Sequence, residues 1–147
     1  MCELVRQANA ADQAALREMM LEYIVDFYQR EAPPAAKLDC LQAMLLSGDT
    51  GLQFVAEQDG AYQGFATLYF TYSTLRAERV VIMNDLYVRE AYRGSGVAEK
   101  LFQACAAYTK ENGFALMQWE TAKDNSRAQR FYEKMGGEKG DWLNYSI

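Results

Sequence analysis

The sequence predicts an α+β domain. Three observations carry that prediction. Asp59-Gly60 is a strong hairpin turn signal between two β-rich runs. Four other stretches place apolar residues at helical steps of three and four. Their order, β-α-α-β-β-β-α-β-α-β, puts hairpins before helical crossovers.

Leu4–Arg6 reads as a short first strand. Asn9 then offers a helix N-cap, and Asp12 stands in the first turn, where the helix dipole favours an acid. Leu16, Met20, Tyr23 and Phe27 form the stripe of that helix, and Pro33-Pro34 is expected to stop it. A second helix is expected around Leu38–Leu46, ending near Gly48. Leu52–Gln58 and Gln63 to about Tyr72 are the two arms of the hairpin, and Arg79–Val88 is a third β-rich run. Val97, Leu101, Cys105 and Tyr108 mark a helix that ends at Gly113. Phe114–Trp119 is a further strand candidate, and a short helix over Ser126–Met135 is stopped by Gly136-Gly137. The tail Trp142–Ile147 alternates Leu143, Tyr145 and Ile147, as a half-buried final strand would.

The 147 residues are about one domain long, so residues 1–147 are read as a single domain. Half are hydrophobic, 24% are charged, and the net charge is −5, with no dense Lys/Arg cluster. A nucleic-acid partner is therefore not expected, while a cationic substrate suits the charge. No apolar run reaches the roughly 18 residues that span a bilayer, and the N-terminus does not read as a signal peptide. Cys2, Cys40 and Cys105 are an odd, unpaired set, as free thiols of a reducing compartment would be. The expected location is the cytoplasm, without a membrane partner. With no His and no CxxC there is little to bind a metal, and none is expected. Proton transfer falls to carboxylates, Tyr, Lys, Cys, backbone groups or water.

The most informative stretch runs from Asp85 to Ala98, where a strand feeds a two-glycine turn that opens directly into a helix. Unpaired N–H groups in the first helical turn carry partial positive charge. Gly94 and Gly96 let a phosphate approach them, and Arg93 adds a full charge. No Gly-Lys-Ser/Thr follows, and the three-glycine spacing of a dinucleotide fingerprint is missing. Further on, Ala128, Phe131, Tyr132 and Met135 share one helix face after Asp124-Asn125.

Arg93-x-x-Gly96-x-Ala98 and, some thirty residues later, Asn125-x-x-Ala128-x-x-Phe131-Tyr132-x-x-x-Gly136 together resemble the two signatures of the GCN5-related N-acetyltransferase (GNAT) superfamily. Within it the chain looks most like diamine and polyamine acetyltransferases, through Phe70-Thr71-Tyr72, Asp85-Leu86-Tyr87-Val88, Tyr92-Arg93-Gly94, Phe131-Tyr132 and Trp142. The resemblance implies a mixed central sheet of six to seven strands flanked by about four helices. It implies an acetyltransferase that uses acetyl-CoA and a primary amine, a polyamine-like or amino-acid-derived small molecule first, with protein or peptide amines second. A non-catalytic acyl-CoA sensor is the alternative from another class. The pyrophosphate would rest on Arg93, Gly94, Ser95, Gly96, Val97 and Ala98. The pantetheine arm would lie along Leu86, Tyr87 and Val88, near Asn125 and Ala128. Tyr132 would be the general acid, with the oxyanion contact near Val88.

The base is left among Asp85, Glu120 and a water chain. Diamine acetyltransferases usually carry Glu before this Asp, and Asn84 stands there instead, one negative charge fewer in the expected amine pocket. Glu22, Asn84, Asp85, Glu120 and Trp142 are the candidate acceptor contacts. The resemblance also implies a homodimer.

Overall fold

The computed structural model describes residues 4–147; Cys2 and its expected free thiol lie outside the described residues. One five-stranded sheet carries the fold, in the order β1 (Val5–Gln7), β2 (Gly51–Gln58), β3 (Ala61–Ser73), β4 (Glu78–Val88), β5 (Met117–Gln118). The first four strands pair antiparallel and β5 joins β4 in parallel. At the β2–β3 turn Asp59 and Gly60 take positive φ (53° and 81°), as a right-twisted hairpin requires.

Alternation along the strands splits the core in two. Phe54, Ala66, Leu68, Val81 and Met83 face helix α3 (Val97–Glu111), meeting Leu101, Phe102 and Cys105. Val55, Phe65 and Tyr87 face the opposite way, onto Leu16, Met19 and Met20 of α1 (Gln13–Leu21) and Leu38 of α2 (Ala35–Ser47). Cys105 is buried in the α3 core and its thiol is pushed up to about 12 by desolvation, so it is inert packing, as its place on the stripe predicts. Cys40 is an exposed free thiol. Among the described residues no helix is long and apolar enough to cross a membrane.

Three expectations need correction. The first helix does not run to the prolines. After Leu21 it widens into a π-helical turn, Glu22–Phe27, and is over by Tyr28; Gln29 follows at φ 53°. Pro34 instead occupies the N-cap of α2, where its missing N–H costs nothing. Among the described residues the sheet has five strands rather than six or seven. Phe114–Trp119 contributes only Met117–Gln118, and Trp142–Ile147 forms no strand. Trp142, Leu143 and Tyr145 are 84%, 68% and 90% exposed, so the alternating tail has no sheet edge beneath it in this structure.

Candidate active site

Two irregularities in β4 create the site. The first is a β-bulge. Thr67 of β3 stands opposite Asp85 and Leu68 opposite Met83, which leaves Asn84 as the extra residue. A bulge reverses the in–out alternation beyond it. Val81 and Met83 face α3 before the bulge; after it Leu86 and Val88 do, and Asp85 and Tyr87 turn to the α1 side.

The second irregularity is a splay. β5 pairs with β4 only at Val81↔Met117 and Ile82↔Gln118, so β4 runs on from Met83 to Val88 without a neighbour on that side. Arg89 N–H donates to the Gln63 carbonyl at 2.8 Å, which makes this facing pair hydrogen-bonded. Alternation in an antiparallel ladder then turns the N–H and C=O groups of Leu86 and Val88 away from β3, into the opening. Arg93 Nε already donates to the Val88 carbonyl at 2.9 Å; the Val88 N–H remains to serve another acceptor.

Beyond Val88 a 3-10 turn, Glu90–Tyr92, leads to Gly94 and Gly96, with φ of 80° and 87°. Any other L residue is strained at those angles, and a Cβ at either position would meet nothing within 4 Å. Gly96 is the N-cap of α3 without a side-chain cap, and the Lys100 N–H makes the first bond back to its carbonyl. The amides of Val97, Ala98 and Glu99 are thus left unpaired at a helix N-terminus beneath open space, a cradle that fits a diphosphate. Arg93 does not project freely at the lip. Its guanidinium lies over the rings of Phe27 and Tyr87, 5.9 and 5.8 Å from their centroids. The Ser95 hydroxyl donates to the Tyr92 carbonyl, closing the turn.

On the α1 side, Asp85 and Asn84 enter a cavity of about 210 Å³ walled by Tyr23, Ile24, Phe65 and Tyr69. Asp85 is held from beneath. Gln53 Nε2, buried, donates to the buried Thr67 Oγ1 at 3.0 Å, so the Thr67 proton is free to go to Asp85, its facing residue. Asn84 Nδ2 donates to Asp85 Oδ1 at 3.1 Å. Burial raises the Asp85 pKa above the ordinary carboxylate value, against the opposing pull of hydrogen bonds from Thr67, Tyr23 and Asn84. Burial together with the nearby Asp85 charge raises Tyr23 and takes Tyr69 up to about 12, so both stay neutral phenols.

The π-helical turn roofs this cavity. Tyr23 stacks edge-on against Phe65, Tyr87 and Tyr28 at 5.8, 5.7 and 4.9 Å. Glu22 anchors the turn. It accepts from Tyr87 Oη at 2.9 Å and from Arg89 Nη2 at 2.9 Å, and the latter also lies 3.4 Å from Glu18. The carboxylate of Glu22, expected to meet the acceptor, is therefore spent on holding Tyr87 and Arg89.

Across the splay stands α4 (Ser126–Lys134). The Asn125 side chain caps it by accepting from the Ala128 N–H at 3.1 Å. Tyr132 is half-buried, its ring 5.3 Å from Trp119 and 6.4 Å from Phe102. Desolvation first, then the nearby Tyr28 phenol, raises its pKa. Glu120 is exposed just past β5, and Trp142 stands out in solvent, away from Asp85's cavity. Sequence reasoning did not single out Tyr23, Gln53, Thr67 or Tyr69 for the site. The hint was two polar residues, Gln53 and Thr67, at inward positions of apolar strands.

The model of the Acetyltransferase (GNAT) family matches residues 14–137. An uncharacterized N-acetyltransferase of Bacillus subtilis (strain 168), YhfO, is 30% identical over 135 residues, 92% of this chain and 89% of that protein. The D-amino-acid N-acetyltransferase HPA3 of Saccharomyces cerevisiae is 39% identical over 72 residues, 49% of this chain and 45% of that one. Among solved structures, a probable acetyltransferase superposes with a TM-score of 0.86 at 29% identity, covering 97% of this chain and 95% of the other.

Proposed function

Because the chain belongs to the GNAT acetyltransferase family, we propose that it acetylates a small primary amine seated against Asp85, with acetyl-CoA as the acetyl donor. The observation that carries this reading is the pairing of two half-sites on one bulged strand. Asp85 faces the amine cavity, and the next outward-facing amides, Leu86 and Val88, face the splay. The residues present suit acetyl-CoA. Unpaired α3 amides under Gly94 and Gly96 suit its diphosphate, and the free β4 edge suits an amide-bearing arm laid down as an added strand. When bound, it supplies an activated acetyl group and a thiol leaving group.

The protein's part is placement and proton handling. An alkylammonium has a pKa near 10.4 and must lose a proton to become a nucleophile. Asp85 accepts it; a carboxylate whose pKa is raised by burial is a better acceptor than an ordinary one. The Val88 N–H donates to the carbonyl oxygen as negative charge gathers there, an electrostatic role of a fixed backbone dipole. Tyr132 would give its hydroxyl proton to the departing sulfur. It would regain one through the second proton that the nitrogen sheds as the amide forms, while Asp85 returns its own to solvent. The Tyr132 pKa, raised by burial, keeps it protonated until the transfer. Catalysis in the cytoplasm and as a homodimer belongs to the same reading. Unpaired Cys40 and Cys105 support the first, and the uncovered Trp142, Leu143 and Tyr145 support the second.

Thiol release from acetyl-CoA, measured across a panel of primary amines, tests the proposal. Tyr132→Phe should lower turnover by about 10² to 10⁴ while CoA affinity stays within twofold. Turnover equal to wild type removes Tyr132 from the reaction, and absence of CoA binding by the wild-type protein overturns the whole reading.

A further inference from the structure

Resting on that reading, we infer that the acceptor is a primary monoamine with an uncharged, apolar body, rather than a polyamine or an amino acid. This departs from the polyamine-like expectation raised by the motifs, and the charge inventory of the cavity is the reason. Among the described residues, Asp85 is the one ionisable carboxyl group that lines it, and no Lys or Arg does. The two phenols in its wall, Tyr23 and Tyr69, are held neutral. The rest of the surface is Met20, Ile24, Leu41, Phe65 and the Asn84 amide.

The charges nearby are already matched. Glu22 is bound by Arg89 and Tyr87, and Arg89 in turn is held by Glu22, by Glu18 and by the Tyr62 carbonyl at 3.2 Å. Asp26 and Glu31 are exposed and do not line the cavity. A second ammonium held in this mostly apolar, half-open cavity would lack a counter-charge, and an α-carboxylate there would face Asp85 with no cation to answer it. Either unpaired charge opposes binding strongly. One ammonium on one carboxylate, with an apolar remainder against aromatic faces, matches the charge that the lining carries. The volume, about 210 Å³, falls below the roughly 300 Å³ at which drug-sized ligands begin to fit. The amine's body is correspondingly small.

The test compares matched pairs in the thiol-release assay on the full chain: butylamine against 1,4-diaminobutane, and 2-phenylethylamine against phenylalanine. The monoamine of each pair should show a kcat/KM at least tenfold higher. A ratio of one or below in either pair overturns the inference and leaves amine acetylation standing. No thiol release with any of the four, in a protein that releases thiol with another amine of the panel, overturns the inference alone; no release across the whole panel, in a protein that binds CoA, overturns the acetylation reading as well. Leu41→Glu, which adds a second carboxylate to a half-buried wall position, should lower the butylamine to diaminobutane ratio at least tenfold; Ile24→Glu is the second variant should Leu41→Glu not fold. An unchanged ratio in a folded variant shows that the acceptor is not in this cavity.

Discussion

Replacing Thr67 by Val should move the acid limb of the kcat/KM profile to higher pH by about one unit. The two side chains have nearly the same shape, so the change removes a hydroxyl and little else. That hydroxyl sits between a buried donor, Gln53 Nε2 at 3.0 Å, and the Asp85 carboxyl opposite. Its hydrogen bond lowers the Asp85 pKa, against burial, which raises it. A hydrogen bond to a charged group is worth roughly 1.5–3 kcal/mol. Asp85 keeps its bonds from Tyr23 and Asn84, so the lower end applies, and about 1.4 kcal/mol is one pKa unit. The sign follows from the base being the ionised form: raising its pKa leaves less of it at low pH. Well below the limb the variant should be about tenfold slower, and well above it the two enzymes should converge. The Gln53 amide loses its oxygen acceptor too and keeps only the Met20 sulfur at 3.7 Å, which costs about 1 kcal/mol of stability and lowers the melting temperature. Thr67→Ser keeps the hydroxyl and should restore the limb. Rate profiles that superimpose for wild type and Thr67→Val, with only the melting temperature changed, would refute the assignment of Asp85 as base.

Gly96→Ala forces a φ of 87° on a residue with a Cβ, at a strain of about 1–2 kcal/mol. The cradle should distort, with CoA affinity falling about tenfold by calorimetry while apolar amine analogues still bind. Asp12 is buried and accepts from Arg6 at 2.7 and 2.8 Å, from the Asn9 N–H at 2.8 Å and from Tyr62 at 2.5 Å. Its pKa is depressed well below the ordinary value, chiefly by Arg6. Because the Arg6 side chain stays about one-third exposed, Asp12→Asn should cost about 2–3 kcal/mol rather than the full penalty of a broken buried pair. That difference should be complete above the unfolded pKa of about 3.9 and shrink as pH falls toward the folded value, read by thermal melts at pH 7 and pH 3. Glu22→Gln should loosen the π-helical turn by weakening its hold on Arg89 and raise KM for the amine severalfold, with CoA affinity unchanged.

Much of the frame was legible because local chemistry decides it. Asp59-Gly60 could hardly be anything but a tight turn, and the Val97-to-Tyr108 stripe announces α3. The turn before α3 was legible as two glycines opening directly into a helix, while their positive φ and the unpaired amides beneath them are set by backbone angles that the residue types alone leave open. The acceptor side was not. Nothing at Asn84 distinguishes a bulge from an ordinary strand residue, because the extra residue is defined by its partner strand. The switch to π-helical geometry at Glu22 is also set by tertiary contacts, through Tyr87 and Arg89, more than sixty positions away. The tail misled because period-two alternation is necessary for a half-buried strand but needs an edge to pair with.

The supernumerary residue in β4 sets two consecutive side chains, Asn84 and Asp85, on one face of the sheet. Excise Asn84, and Met83 and Asp85 become neighbours opposite Leu68 and Thr67, so the ladder closes with no change of phase: Asp85 and Tyr87 keep the α1 side and Leu86 and Val88 the α3 side. What the strand would lose is its kink and the amide that donates to Asp85. A one-residue insertion or deletion elsewhere between Met83 and Val88 has no such slack, and would send the carboxylate and the amide edge to opposite compartments.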